Sequence, residues 1–410
     1  MSISLEKLET LFAKLTAFGK NNEGGLTRLS YSPEFQAAQT MLAEFMKNIG
    51  MTVAIDAVGN LIGTYPGRDN SLKPICSGSH LDSVPNGGMF DGALGIVTAL
   101  ECLRGWHEEG WQPLRPVKVI AFVEEEGSRF GSVCFGSRSM AGELREADPV
   151  SFQNSAGRTL PEFLADCHLD NDPFNKETSL QNNAAFVELH IEQGAALTES
   201  GCSVGIVKAI AGIKRLNVVI KGKANHSGST AMHRRQDALV AASSLVAFVY
   251  DNALASHGNY VATVGKLNVL PNAENVIPGE VQLTIEMRSA DTTVLEAAKE
   301  KIMRQYLQIS TDYKVTIETV SEYNVAPMPM DKELIQTITE ASDSLGIDYR
   351  LLPSWAGHDA MIIGRYIPTA MIFVPSINGI SHSPLELSEW PAIEKATKVL
   401  DNTLKTLASK

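Results

Sequence analysis

A histidine closes an apolar run in Ser77-Gly78-Ser79-His80-Leu81-Asp82, and eleven residues later Asp91 stands at a glycine-rich helix entrance, Gly87-Gly88-Met89-Phe90-Asp91-Gly92. Imidazole and carboxylate together suit zinc, manganese or cobalt. An aspartate has two oxygens, so one residue can bridge two ions about 3.5–4 Å apart, the spacing two-metal hydrolases use. After a second apolar run, Val117 to Val123, come three consecutive acids, Glu124, Glu125 and Glu126. Burying three carboxylates without cations would raise their pKa values strongly, and cations would relieve the repulsion. Two jobs are then open to neighbouring glutamates: Glu126 as a metal ligand, and Glu125 as the base that takes a proton from the attacking water. Asp82 suits a supporting role, since ligating imidazoles commonly donate their other N–H to a carboxylate. His190, in the segment Phe186 to Gly194, and His382, in Pro375 to Pro384, each follow a β-type run and complete the count of donors.

Spacing alone does not select these residues from nine histidines and 47 acids, because no compact HExxH-type repeat holds them together. Taken singly, a histidine is ordinarily a surface or core residue, and an acid run a solvated face.

The elements that must position these groups follow from periodicity. Ser32-Pro33-Glu34 reads as N-cap, first-turn proline and first-turn acid of a helix to about Ile49, closed by Gly50. Strands are expected at 52–55, 61–65, 74–79 and 117–123, with a helix over about 92–109. Such alternation predicts an α/β domain with a parallel or mixed sheet, whose sites gather beyond the carboxyl ends of its strands. From about Ala211 the order changes to β-α-β-β-α-β: strands near 215–221, 260–267, 281–288 and 314–319, with helices near 235–256 and after Thr293. That is the split unit of a ferredoxin-like α+β domain. After about Tyr323 the α/β character resumes, so the smaller domain, 211–325, is expected to be inserted into a larger one made of 1–210 and 326–410.

A length of 410 residues favours two domains. The composition, 44% hydrophobic and 20% charged, is that of a globular chain. A net charge of −12 argues against nucleic acid or an anionic membrane as partner and leaves a small molecule. Leu5, Leu8, Leu11, Phe12 and Leu15 recur at helical spacing with charges between them, unlike the unbroken apolar run of a signal peptide. Five cysteines without a CxxC pair cannot form a complete disulfide framework, and a cytoplasmic location is expected.

The ordered blocks GSHLDSVPNGGMFDGALG, VEEEGSRFG, ELHIEQG, ANHSGSTAMHRRQDAL, NVIPGEVQLTIEMRSAD, GHDA and PSINGISHSPLE resemble the family of N-carbamoyl-L-amino-acid hydrolases and allantoate amidohydrolases over nearly the whole chain. The resemblance implies a dinuclear metallopeptidase-like catalytic domain interrupted by a lid that mediates homodimerisation. It implies His80 and His190 on one divalent ion, Glu126 and His382 on the other, Asp91 bridging, and Glu125 as base. It further implies His226 as an oxyanion donor reaching a neighbouring subunit, Asn275 and Arg288 as the grip on a substrate carboxylate, and Gln193 and His358 as substrate contacts. A guanidinium fork suits a carboxylate better than an ammonium would. Allantoate-specific members of that family carry glutamine where this chain has Ile213, which points towards hydrolysis of an N-carbamoyl-L-amino acid to amino acid, carbon dioxide and ammonia. Allantoate is the closest alternative substrate, and a dipeptide or acylated amino acid the next. The native ion, zinc, manganese, cobalt or nickel, stays open, because an N/O donor set accepts several. From a different class, a two-domain protein that closes on a small acidic ligand without chemistry is the rival; it would need no Glu125 beside Glu126.

Overall fold

The computed structural model describes residues 3–144, 152–169 and 180–410. Helices Leu5–Thr16 and Pro33–Asn48 open the chain. The Ser32 side chain accepts the Phe35 N–H, and Pro33 occupies the first turn, where a missing N–H costs nothing.

Four parallel strands, Val117–Phe122, Ile75–His80, Ala185–Ile191 and Thr369–Val374, lie side by side in that order. Antiparallel strands extend both edges, Leu61–Tyr65 and Thr52–Ile55 on one side and Val204–Ile210 on the other. The sheet is therefore mixed. The strands Ile75–His80, Ala185–Ile191 and Thr369–Val374 are buried at every position, which is why they lack polar alternation. Helices Ala93–Glu109 and Trp390–Ala408 contribute to the same core, and the Trp106 indole N–H donates to Asp401 at 2.6 Å between them. At the carboxyl ends of the four central strands stand His80, the turn Glu124 to Glu126, His190, and the loop from Pro375 to Ser388.

The chain divides into two compact units: Met1–Lys208, Met330–Leu352 and Ala356–Lys410 form one, Ala209–Pro329 and Pro353–Trp355 the other. The smaller unit holds a four-stranded antiparallel sheet in the order Thr316–Val325, Gly212–Lys221, Glu280–Ser289, Val261–Leu270. With helices Ala238–Leu254 and Thr292–Tyr313 this is a β-α-β-β-α-β unit in ferredoxin-like strand order. Leu216, Val218 and Ile220 alternate inward and meet Ala241, Leu245, Leu295 and Ile302 in its own core. Asp237 and Asp291 cap the two helices, each accepting backbone N–H groups of the first turn.

Candidate metal centre

Asp91 joins three imidazoles. Its Oδ1 lies 3.3 Å from His80 Nε2 and 3.2 Å from His190 Nε2, while its Oδ2 lies 3.2 Å from His382 Nε2. Glu126 stands on the His382 side, Oε2 to Nε2 3.5 Å, and Glu125 on the His80 side, Oε2 to Nε2 3.9 Å. Strand ends fix most of this arrangement: His80 ends one parallel strand, and His190 sits one residue before the end of its neighbour. Gly92 then lets the chain turn beneath the histidine. Its φ is +63°, and a Cβ there would overlap the His80 ring.

Hydrogen bonds settle which imidazole nitrogens are free. His80 Nδ1 lies 2.9 Å from the Asp82 carbonyl oxygen and His190 Nδ1 3.0 Å from that of Ile191. A carbonyl only accepts, so both Nδ1 atoms carry the proton. In the neutral rings both Nε2 lone pairs then face one carboxylate oxygen, an arrangement that repels unless a cation or added protons sit between them. Among the described residues, the buried His190 Nε2 and Glu126 Oε1 find no hydrogen-bond partner. His80, Asp91 and His190, and likewise Asp91, Glu126 and His382, bring donor atoms within 4.8 Å of one another. These residues fit divalent cations in both chemistry and placement.

The supporting contacts differ in part from the sequence expectation. It is the backbone oxygen of Asp82, not its carboxylate, that meets His80; the carboxylate instead accepts the N–H groups of Glu125 and Glu126 at 3.1 and 3.2 Å. Asp82 thus orients an imidazole and the two-glutamate turn at once. Glu124 faces away from the centre and accepts the Arg129 and Phe130 N–H groups, both at 2.8 Å. Gln193 lies against the aspartate, its Nε2 donating to Asp91 Oδ2 at 2.8 Å. His358 is buried and packs edge-on against His190, ring centroids 4.5 Å apart.

Burial dominates the acid–base balance. It drives the Glu125 carboxyl well above the usual range, opposed by His80 and reinforced by Glu126, Asp359 and Asp82. Burial, then Asp91, brings Glu126 to about 7. Burial would raise Asp91 as well, but His190, His382 and His80, wherever they carry a second proton, outweigh it and hold that carboxyl well below the ordinary value. His358 goes the other way, held well below the usual imidazole range by burial and by His190.

Four residues beside the centre had no role from the sequence, although Glu188, Asp359 and Glu386 stand within the blocks quoted above. Cys134 places its thiol 3.4 Å from Glu125 Oε1. Glu188 accepts the Ser79 hydroxyl at 2.7 Å and the Ala360 N–H at 3.1 Å. Asp359 is buried, and its carboxyl is raised to about 8 by that burial and by Glu188. Glu386, four residues past His382, is buried against the Asp91 turn.

In the smaller unit His226 and Asn275 are neighbours. The pair of two-residue strands Asn225–His226 and Val276–Ile277 sets Val276 opposite His226, and the Ser227 N–H donates to the Asn275 carbonyl at 3.0 Å. His226 Nδ1 accepts the N–H groups of Gly228 and Ser229 at 3.0 and 3.2 Å, so the ring proton of the neutral side chain lies on Nε2. The Arg288 guanidinium is tethered by Glu286 Oε1, 2.9 Å from its Nε, and by the Trp355 carbonyl, 2.8 Å from its Nη1.

A mixed α/β sheet that gathers cation donors at its strand ends presents a candidate metal centre. Peptidase family M20/M25/M40 matches residues 76–406, and the chain belongs to this family. It is similar to the allantoate amidohydrolase of Escherichia coli (strain K12), 36% identical over 405 residues and 98% of both chains. It is also similar to the N-carbamoyl-L-amino-acid amidohydrolase of Paenarthrobacter aurescens, 37% identical over 407 residues and again 98% of both. A solved structure, an amidase of the hydantoinase/carbamoylase family from Burkholderia multivorans, has a TM-score of 0.91 at 31% identity, covering 100% of this chain and 98% of its own. The chain is accordingly an amidohydrolase acting on amide C–N bonds. No helix among the described residues is long and apolar enough to cross a membrane.

Proposed function

We propose that this enzyme hydrolyses N-carbamoyl-L-amino acids to the amino acid, carbon dioxide and ammonia. The observation that carries the reading is Asp91, with one oxygen turned to His80 and His190 and the other to His382. In this reading His80, His190 and Asp91 hold one divalent ion, and Glu126, His382 and Asp91 a second. Two such ions supply Lewis acidity at the ureido carbonyl and a lowered pKa for the attacking water.

The protein's own groups do the rest. Glu125, with one oxygen towards His80 and the other beside the Cys134 thiol, takes the proton from water and passes it to the leaving nitrogen. His226, with its proton on Nε2, donates to the oxyanion of the tetrahedral carbon. Arg288 and Asn275 hold the substrate carboxylate, and Gln193 and His358 line the site. The inserted unit acts as a lid and joins two copies of the chain, so that His226 serves the neighbouring subunit. The enzyme works in the cytoplasm, where its five free thiols stay reduced.

Ile213 supports a carbamoyl amino acid over allantoate; relatives of both names match the chain about equally. The test is a parallel assay of manganese-loaded enzyme on several N-carbamoyl-L-amino acids, allantoate and dipeptides, following ammonia and free amino acid. A carbamoyl amino acid should give the highest kcat/KM. Faster turnover of allantoate would transfer the assignment to that substrate, and release of amino acid without ammonia would transfer it to peptides.

A further inference from the structure

Beside the donor cluster lies a carboxylate that coordinates nothing in the arrangement proposed above. Glu386 is 4% exposed, and its side chain spans two loops distant in sequence. Oε1 accepts the backbone N–H groups of Phe90 at 2.9 Å and Asp91 at 3.1 Å. Oε2 accepts the Ser381 hydroxyl at 2.8 Å, and that hydroxyl stands 3.2 Å from Asp91 Oδ2. The residue after Ser381 is His382.

The two halves of the centre are built differently. His80 and His190 are buried within parallel strands, whereas His382 sits on a loop with φ +54° and its side chain is half exposed. The base of that loop is closed by the Ile377 N–H on the Leu387 carbonyl, 2.8 Å, and by the Ser388 hydroxyl on the Pro375 carbonyl, 2.8 Å. Between these ties, Glu386 joins the loop to the backbone of the Asp91 turn, beside the Ser381 hydroxyl and Gln193, whose Nε2 lies 2.8 Å from Asp91 Oδ2 and 3.4 Å from Ser381 Oγ. Gly88 leaves it the room: a Cβ at that position would overlap the Glu386 carboxyl.

We infer that Glu386 is a positioning residue that sets the distance between Asp91 and His382, and so governs the ion held with Glu126 and His382 more than the ion that Asp91 shares with the strand-held His80 and His190. This rests on the two-ion reading above. Groups that orient ligands from outside the coordination shell are worth about 10–100-fold in metal affinity.

Calorimetric titration of metal-free protein with manganese tests this in four forms: wild type, Glu386→Ala, Glu386→Gln and Gly88→Ala. The last leaves the carboxylate intact and pushes it aside; since that group is the flexible end of a side chain, the fold should tolerate the change. Wild type should take up two ions. Glu386→Ala and Gly88→Ala should bind one ion about 10–100-fold more weakly and the other with a clearly smaller change. Glu386→Gln, which retains one accepting oxygen, should fall between, and a fifth form, Glu386→Ala combined with Gly88→Ala, should be no weaker than Glu386→Ala alone. Equal weakening of both ions, or two unchanged ions in both alanine variants, would overturn the role of Glu386. Uptake of no ion by wild type would instead remove the metal centre on which the proposal stands.

Discussion

Ile213 and Arg288 are directly opposite one another across two antiparallel strands of the inserted sheet. Directly opposed residues share a face of the sheet, so the side chain at 213 borders the guanidinium proposed to hold the substrate carboxylate. Ile213→Gln adds hydrogen-bonding capacity there. It should raise kcat/KM for allantoate relative to an N-carbamoyl-L-amino acid by about ten-fold, the value of one hydrogen bond. A ratio that does not move would remove position 213 from substrate selection.

Glu125→Gln keeps the shape of the side chain and removes its basicity. Turnover should fall by about 10²–10⁴-fold while the metal content, read by elemental analysis, stays at the wild-type level. Wild-type kcat in this variant would mean that another group moves the proton.

Arg288 has its Nε and Nη2 engaged by Glu286 Oε1 and its Nη1 by the Trp355 carbonyl, which leaves one N–H on each Nη for a ligand. Arg288→Lys loses both the tether and the fork. KM should rise about 10–100-fold with a smaller change in kcat, matching the 1.5–3 kcal/mol typical of a hydrogen bond to a charged group. An unchanged KM would dissociate Arg288 from substrate binding.

Chelation should make stability depend on pH in a definite sense. Without cations the folded-state pKa values of Glu126, Asp359 and His382 are raised, to about 7, 8 and 9. Each raised group stabilises the fold below its unfolded value, about 4 for the carboxyls and 6.5 for the imidazole, and that contribution is lost as pH rises through the folded value. The Tm of chelated protein should therefore fall between about pH 6 and pH 9, and the gap to the metal-loaded form should widen, because cations replace the lost protons. A flat or rising Tm for the chelated form over that interval would contradict this account.

Arg28 offers a test of stability away from the chemistry. It is fully buried, with Nε on the Leu81 carbonyl at 2.7 Å and Nη1 on the Leu15 and Phe18 carbonyls at 3.0 and 3.2 Å. Burial lowers its pKa to about 10, partly offset by Asp82. Arg28→Leu strands those carbonyls and removes a charge opposite Asp82, so denaturant unfolding should show a loss of about 3–5 kcal/mol. A loss below about 1 kcal/mol would mean that water replaces the guanidinium at little cost.

What the sequence disclosed of this fold was its local part. Ser32-Pro33-Glu34 marked a helix start because caps and first turns are decided by adjacent residues. The β-α-β-β-α-β order was legible because its central strand, Gly212–Lys221, alternates buried and half-buried positions. The helix Trp390–Ala408 went unassigned in spite of its amphipathic face, since nothing in the site pointed towards it. Periodicity could not reveal the supports of the centre, because their partners are remote: 296 residues separate Phe90 from Glu386, and 109 separate Ser79 from Glu188. The Asp82 carboxylate was assigned to His80 from a common pattern; the strand end instead turned the backbone oxygen to the ring.

The inserted unit leaves and returns through paired strands, Ile210 opposite Met328 and Ala209 opposite Pro329. Its two ends are hydrogen-bonded neighbours, so the larger unit closes over a gap one hairpin wide, whatever the length of chain beyond it. Loop-closure entropy, which grows with the length of an unstructured loop, is thereby almost absent from the cost of insertion. To the body that carries the metal donors, the folded unit between these paired strands is entropically little more than a tight turn.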